Sequence, residues 1–383
     1  MIASSTPWLP AVLPFLVASV VCLATIPLSA ALARRSGAMA EPDLDRHLHP
    51  QPTPRLGGIS LYLGFATAVA AFGGSIAYRW QIVAVTGAIT LAMALDDIFD
   101  LSWRSKLAIE VGAGVLVALV GITITFIAVP GGHSPTVIDL GLLATPITVL
   151  WVVGMQVSVN FLDGADGVAA GVIAIVAVVL MLSAINRIQA PNDVQSGVII
   201  MSGALMGCCV GFLVFNLPPA RVFMGDSGSH FLGVALAGIT ILGVSKIVVG
   251  LSLLVPLIAL GIPISDTAFA IVRRRRAGRS VAEPDAGHLH HRLMARGLTP
   301  IETALTFYLA TAILGCIALS VYGHQRILLI ALALLALSLG GVIWQNRRRA
   351  QRREQLVDDD AVIVVEGHRQ LHSRIRQHGG ETD

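Results

Sequence analysis

Apolar runs of about the length needed to cross a bilayer recur along this chain, and they constrain its fold more than any other feature. They fall near residues 9–33, 56–78, 80–95, 107–130, 140–159, 167–186, 194–215, 230–244, 247–271, 301–321 and 325–345. A helical crossing of the hydrocarbon core takes about 20 predominantly apolar residues. Only 13% of the residues are charged, where a soluble domain carries roughly 25%. Most of the surface therefore faces lipid or other helices. The expected fold is all-α: a polytopic membrane helical bundle of about eleven transmembrane helices. No charged residue precedes the first run, so that run reads as a retained helix and not as a cleaved signal.

Charge placement orients the bundle. Eleven crossings alternate the connections between two faces, and of the 26 Lys and Arg only Arg79, Arg187, Lys246 and Arg326 lie on one of them. Basic residues accumulate on the cytoplasmic side. The expected topology puts the N-terminus outside and the C-terminus in the cytoplasm, in a multi-pass protein of the cell inner (cytoplasmic) membrane. Residues 1–345 form the membrane domain, and 346–383 form a charged cytoplasmic tail whose arginines suit anionic lipid heads. Four cysteines, Cys22, Cys208, Cys209 and Cys316, sit in apolar runs without ligand or disulfide spacing. Nothing interleaves aromatic residues with the basic clusters, which argues against nucleic acid as a partner.

Four polar clusters fall on the face assigned to the cytoplasm, by a topology derived without them. The first is Asp96-Asp97-Ile-Phe-Asp100. If the helix runs on through Asp100, three like charges lie within one turn of one another, and a divalent cation or a lysine would relieve their repulsion. A solvated helix end with capping acids is the other account. In the second, Asn160, Asp163 and Asp166 are spaced by three, with Gly164 and Gly167 leaving the backbone open to a ligand. An ordinary turn explains the same pattern. In the third, Phe223-Met-Gly-Asp226-Ser-Gly-Ser229 reads as a helix start with spare N–H donors, suited to phosphate. The fourth, His288-Leu-His290-His291-Arg292, lacks zinc-ligand spacing and, with Arg273–Arg276 and Arg279 before it, reads as an anion-attracting loop. Together they describe carboxylates for Mg²⁺ and donors for phosphate at a membrane surface. Phosphoryl transfer needs little more.

The segments PTPRLGG (52–58), DDIFDLSWRSKL (96–107), NFLDGADGVAAG (160–171), RVFMGDSGSHFLG (221–233) and HLHHRL (288–293) resemble, in order, the motifs of the polyprenyl-phosphate N-acetylhexosamine-1-phosphate transferases, glycosyltransferase family 4. The resemblance spans roughly residues 10–345. The His-x-His-His-Arg form looks like the branch that uses UDP-N-acetylglucosamine. One position departs: Val157 stands where the family usually has the first Asn of N-x-x-N.

The resemblance implies a phosphotransferase that moves N-acetylhexosamine-1-phosphate, GlcNAc-1-phosphate in this branch, from a UDP-sugar to polyprenyl (undecaprenyl) phosphate, releasing UMP and initiating cell-envelope polysaccharide synthesis. The alternatives are another UDP-acetamido sugar or UDP-MurNAc-pentapeptide as donor, and, more remotely, an ion-coupled transporter. The implied cofactor is Mg²⁺, with Mn²⁺ able to substitute. The partners are the polyprenyl phosphate lipid, the UDP-sugar and membrane lipids, and a homodimer is allowed. By the same resemblance Asp226 is the principal metal ligand with Asn160 a second. Asp96, Asp97 and Lys106 are the catalytic set at the lipid phosphate. Asp163, Asp166, Phe223, Arg55, His288, His290, His291 and Arg292 bind nucleotide and sugar.

Overall fold

The computed structural model describes residues 8–41, 52–74, 76–129, 136–185, 194–244, 261–276 and 289–320, with the single positions 258, 278, 333, 337 and 341. Residues 1–331 form one unit and 332–383 another; the account below concerns the first. The apolar run 325–345, the tail and His288 fall outside the described residues, apart from positions 333, 337 and 341.

Eleven helices are described: α1 Leu9–Ser36, α2 Gly57–Phe72, α3 Arg79–Phe99, α4 Trp103–Leu119, α5 Ala144–Leu162, α6 Val168–Ile185, α7 Val194–Asn216, α8 Gly225–Val244, α9 Gly261–Arg276, α10 Leu289–Ala295 and α11 Pro300–Ser320. Their ends follow local chemistry. α1 opens with proline in its first turn, where no helical N–H is lost. It closes with Arg34 and Arg35 beside its negative dipole end and Gly37 left-handed at φ 81°. α4 starts at Ser102, whose hydroxyl accepts from Ser105 N at 3.3 Å.

Six segments among the described residues are long and apolar enough to cross a membrane: α1, α3, Gly141–Leu162 (α5 with the 3₁₀ turn before it), α6, α7 and α11. The chain is thus a multi-pass helical membrane protein. α8 is buried along almost its whole length, with α3 and α5 packed along it and α2 and α7 beside them. A helix apolar all round belongs in the middle of a bundle.

Two expectations need correction. The run 107–130 is not one helix. α4 stops at Leu119, the chain turns at Gly121, and the β-branched stretch from Ile122 leads into strand β3, Phe126–Val129. β-branched side chains are stiff against a helical turn and favour extended backbone. β3 pairs antiparallel with β4, Thr136–Asp139, with Phe126 opposite Asp139. A shorter pair joins β1, Met39–Ala40, to β2, Thr53–Pro54. The bundle is therefore mostly, not wholly, helical.

Three helix ends and three helix starts meet through this packing: the ends of α3, α5 and α7 with the starts of α4, α6 and α8. The loop ahead of α2 joins them, because Phe223 N donates to Pro54 O at 2.8 Å and Gly57 N to Phe223 O at 3.0 Å.

Candidate active site

Lys106 is at the centre of the polar cluster. Its Nζ lies 2.8 Å from Asp96 Oδ2 and 2.8 Å from Asp226 Oδ2, so one ammonium bridges carboxylates from α3 and α8. Asp96 also accepts from Leu101 N at 2.9 Å, which ties its carboxylate to the α3–α4 turn. Asn160, in the last turn of α5, donates through Nδ2 to Asp226 Oδ1 at 2.9 Å and to Ser229 Oγ at 3.1 Å.

Asp97 faces elsewhere. Its Oδ1 accepts from Asp226 N at 2.8 Å and its Oδ2 from Ser227 N at 3.0 Å. A carboxylate of α3 thus caps the N-terminus of α8, with Arg55 3.8 Å away. The close fit depends on Gly225, left-handed at φ 69°, where an added Cβ would strike Arg55 O and stand 2.5 Å from Asp97 Oδ2. Two of the spare N–H donors expected at this helix start, those of Asp226 and Ser227, are therefore satisfied from within the protein. Asp100 leaves the cluster too. α3 ends at Phe99, Asp100 is left-handed at φ 51° and exposed, and three acids do not share one turn.

A cavity of about 430 Å³ opens beside these groups, lined by Arg55, Asn160, Asp163, Asp166, Phe223, Asp226, His290 and His291 with Phe161, Asn216 and neighbours. Volumes of 300–1,000 Å³ suit small-molecule ligands. Asp96, Asp97 and Lys106 are absent from its wall and stand behind Asp226. His290 packs so closely on Gly164 that a Cβ there would lie 2.5 Å from the ring. Asp166 Oδ2 accepts from Ala220 N at 2.9 Å and links the 163–167 turn to the loop before α8. Among the expected residues, Arg292 does not reach this cavity: it lines a second one with Arg273 and Arg276.

The charges act on one another. Asp163, half-buried in the turn after α5, is pushed well above the usual carboxylate range by burial and then by Asp226, Asp97 and Asp166, with Arg55 working against them. For Asp226, ahead of the apolar run 230–244, burial raises the carboxyl, but contact with Asp96 and the charges of His230 and Lys106 outweigh it and hold the group well below that range.

Three further residues, Asn216, His230 and Glu110, complete the site without having been among the expected site residues. Asn216, buried at the end of α7, accepts from Gly167 N at 3.0 Å and donates to Val222 O at 3.0 Å, clamping both cavity loops. His230, one turn past Asp226, contacts Asp226 O at 2.8 Å and Glu110 Oε1 at 2.9 Å. A buried polar group needs such partners. The available signal was a histidine inside the 221–233 motif and a lone glutamate inside an apolar run.

No group of three or more His, Cys, Asp or Glu is assembled as a metal site among the described residues. The donors present, the carboxylate of Asp226 and the amide of Asn160, suit a hard cation that completes its shell with water and substrate phosphate.

Comparison with known proteins adds a lineage to this geometry. The model of the family described as glycosyl transferase family 4 matches residues 80–244. The chain is 35% identical over 299 residues to the "Probable undecaprenyl-phosphate N-acetylglucosaminyl 1-phosphate transferase" of Bacillus subtilis (strain 168), covering 78% of this chain and 81% of the relative. It is 34% identical over 309 residues to the "Decaprenyl-phosphate N-acetylglucosaminephosphotransferase" of Mycolicibacterium smegmatis, covering 74% and 75%. It is also 34% identical over 284 residues to the "Phospho-N-acetylmuramoyl-pentapeptide-transferase" of Synechococcus sp. (strain JA-3-3Ab), covering 68% and 77%.

Proposed function

Because this chain belongs to glycosyl transferase family 4, among the polyprenyl-phosphate sugar phosphotransferases, we propose that it transfers N-acetylglucosamine-1-phosphate from UDP-N-acetylglucosamine to undecaprenyl or a related polyprenyl phosphate, releasing UMP. The observation that carries the reading is the meeting of Asp96, Lys106, Asn160 and Asp226 from four helices beside a cavity walled by Arg55, Phe223, His290 and His291.

In this reading an oxygen of the polyprenyl phosphate attacks the β-phosphorus of the UDP-sugar. The bond from that phosphorus to the bridging oxygen breaks, and UMP leaves. Phe223 offers a ring face to the uracil, and Asp166 an acceptor. Arg55, His290 and His291 set the diphosphate and sugar. Lys106 holds Asp96 and Asp226 together and places positive charge beside the phosphates. Asp97 positions Asp226 by capping its helix. Asp226 and Asn160 would hold Mg²⁺, for which Mn²⁺ substitutes; when bound it neutralises charge on the diphosphate. The acceptor needs little help in ionising, since phosphate monoesters have a second pKa near 6.

The topology fits a cytoplasmic donor. Four basic or acidic loop clusters gather at the site end, and the expected eleven crossings put this end in the cytoplasm, in the inner membrane, with the N-terminus opposite. A cysteine placed at the exposed position Asp100, at the same end of the bundle, should resist an external label.

The test is transfer from radiolabelled UDP-N-acetylglucosamine to a butanol-extractable lipid, with Mg²⁺ and undecaprenyl phosphate. A labelled lipid with stoichiometric UMP is expected, and Asp226→Asn should abolish it in a protein that still folds. Labelling from UDP-MurNAc-pentapeptide alone would move the chain to the function named for the Synechococcus relative, and uptake into vesicles without lipid product would replace the reading with transport.

A further inference from the structure

The second cavity, about 580 Å³, is lined among the described residues by Phe269, Val272, Arg273, Arg276 and Arg292. It shares no lining residue with the first cavity. α10 contributes to both: His290 and His291 line one, and Arg292 the other. On α9 the four lining residues are spaced i, i+3, i+4 and i+7, which puts them on one helical stripe. The stripe changes character along its length. Phe269 and Val272 are apolar and exposed, at 67% and 44%, and Arg273 and Arg276 follow in the last turn of the helix. At 1.5 Å per residue the stripe is about 10 Å long. An apolar wall that leads into three guanidinium groups has the polarity profile of an amphiphile's headgroup region.

We propose that this cavity binds an anionic membrane phospholipid, its phosphate held by Arg273, Arg276 and Arg292 and its acyl chains laid against Phe269 and Val272. Guanidinium groups match phosphate oxygens in forked pairs, and none of the five lining side chains is acidic. The acceptor lipid is a poorer fit. Its phosphate must reach Asp226 and Lys106, whereas Arg292 lines a cavity that shares no residue with the one walled by Asp226, His290 and His291. A phospholipid there fixes α10 at the membrane surface and so steadies the two histidines in the first cavity.

The probe is phosphatidylglycerol, added to the full-length protein reconstituted in phosphatidylcholine nanodiscs and followed by native mass spectrometry and by titration with a fluorescent analogue. The R273Q/R276Q/R292Q variant should bind phosphatidylglycerol at least roughly tenfold more weakly than wild type, with phosphatidylcholine binding unchanged. Thermal melting establishes that the variant is folded. R273Q/R276Q, which leaves α10 intact, should show the same trend and decides the matter if the triple variant does not fold. Equal affinity in folded variant and wild type overturns the proposal. Displacement of phosphatidylglycerol by equimolar undecaprenyl phosphate also overturns it, by assigning the cavity to the acceptor.

Discussion

Replacing Asp97 by asparagine separates two roles that adjacent carboxylates can play. The wild-type side chain is fully buried, with its two oxygens accepting from Asp226 N and Ser227 N. Asparagine keeps one acceptor and turns an NH₂ group toward the other amide. A hydrogen bond to a charged group contributes about 1.5–3 kcal/mol, and a negative charge at a helix N-terminus adds about 0.3–1 kcal/mol, up to ~2 when partly buried. The expected loss is about 2–4 kcal/mol, and more for Asp97→Ala, which leaves both amides without this partner. The first turn of α8 carries Asp226, so its carboxylate shifts against Lys106 and Asn160, and a misplacement of about 1 Å can cost on the order of 100-fold in rate. The assay pairs thermal unfolding in detergent with kcat measured from about pH 6 to pH 9. Both variants should melt lower, and kcat should fall equally at every pH. Wild-type melting together with activity that recovers as the pH rises would identify Asp97 as a proton acceptor and refute the capping argument.

Other perturbations test other parts of the site. Lys106→Met leaves Asp96 and Asp226 facing each other without their shared ammonium. Turnover should fall by at least about two decades, while Mg²⁺ raises the melting temperature of the variant more than that of wild type; an unchanged Mg²⁺ response counts against a cation site at Asp226. Asp163→Asn should raise the melting temperature of the substrate-free protein at neutral pH and lower transfer. The folded-state pKa of Asp163 is raised, so its contribution to stability is present below the unfolded value near 3.9 and is lost as pH rises through the folded value. Parallel melting-versus-pH curves for variant and wild type would contradict this. Gly164→Ala puts a Cβ 2.5 Å from His290 Cε1 and 2.8 Å from Nε2. The displaced ring should raise KM for the UDP-sugar roughly tenfold or more, and unchanged kinetics would remove His290 from substrate binding.

What the sequence determined by itself was the membrane class and the motifs that the structure brings together around Asp226. Apolar runs and the spacing of Lys and Arg are local quantities, and partition between water, interface and lipid acts on them directly. The motifs around Asp96, Asn160, Asp226 and His290 were legible for the same reason, because each lies within a few residues at the end of an apolar run. The division of labour inside the site was not legible. Asp96 and Asp97 are neighbours in the chain, yet one binds Lys106 and the other caps α8, because successive residues on a helix point about 100° apart and meet different elements. His291 and Arg292 are divided in the same way between two cavities. Asp100 leaves the cluster because α3 ends at Phe99 and Asp100 itself is left-handed. The Glu110–His230 pair joins residues 120 apart in the chain, and no local pattern records such a contact. Only the packing of α3, α4, α5 and α8 decides which buried polar group finds which partner, since each must find one once water is excluded.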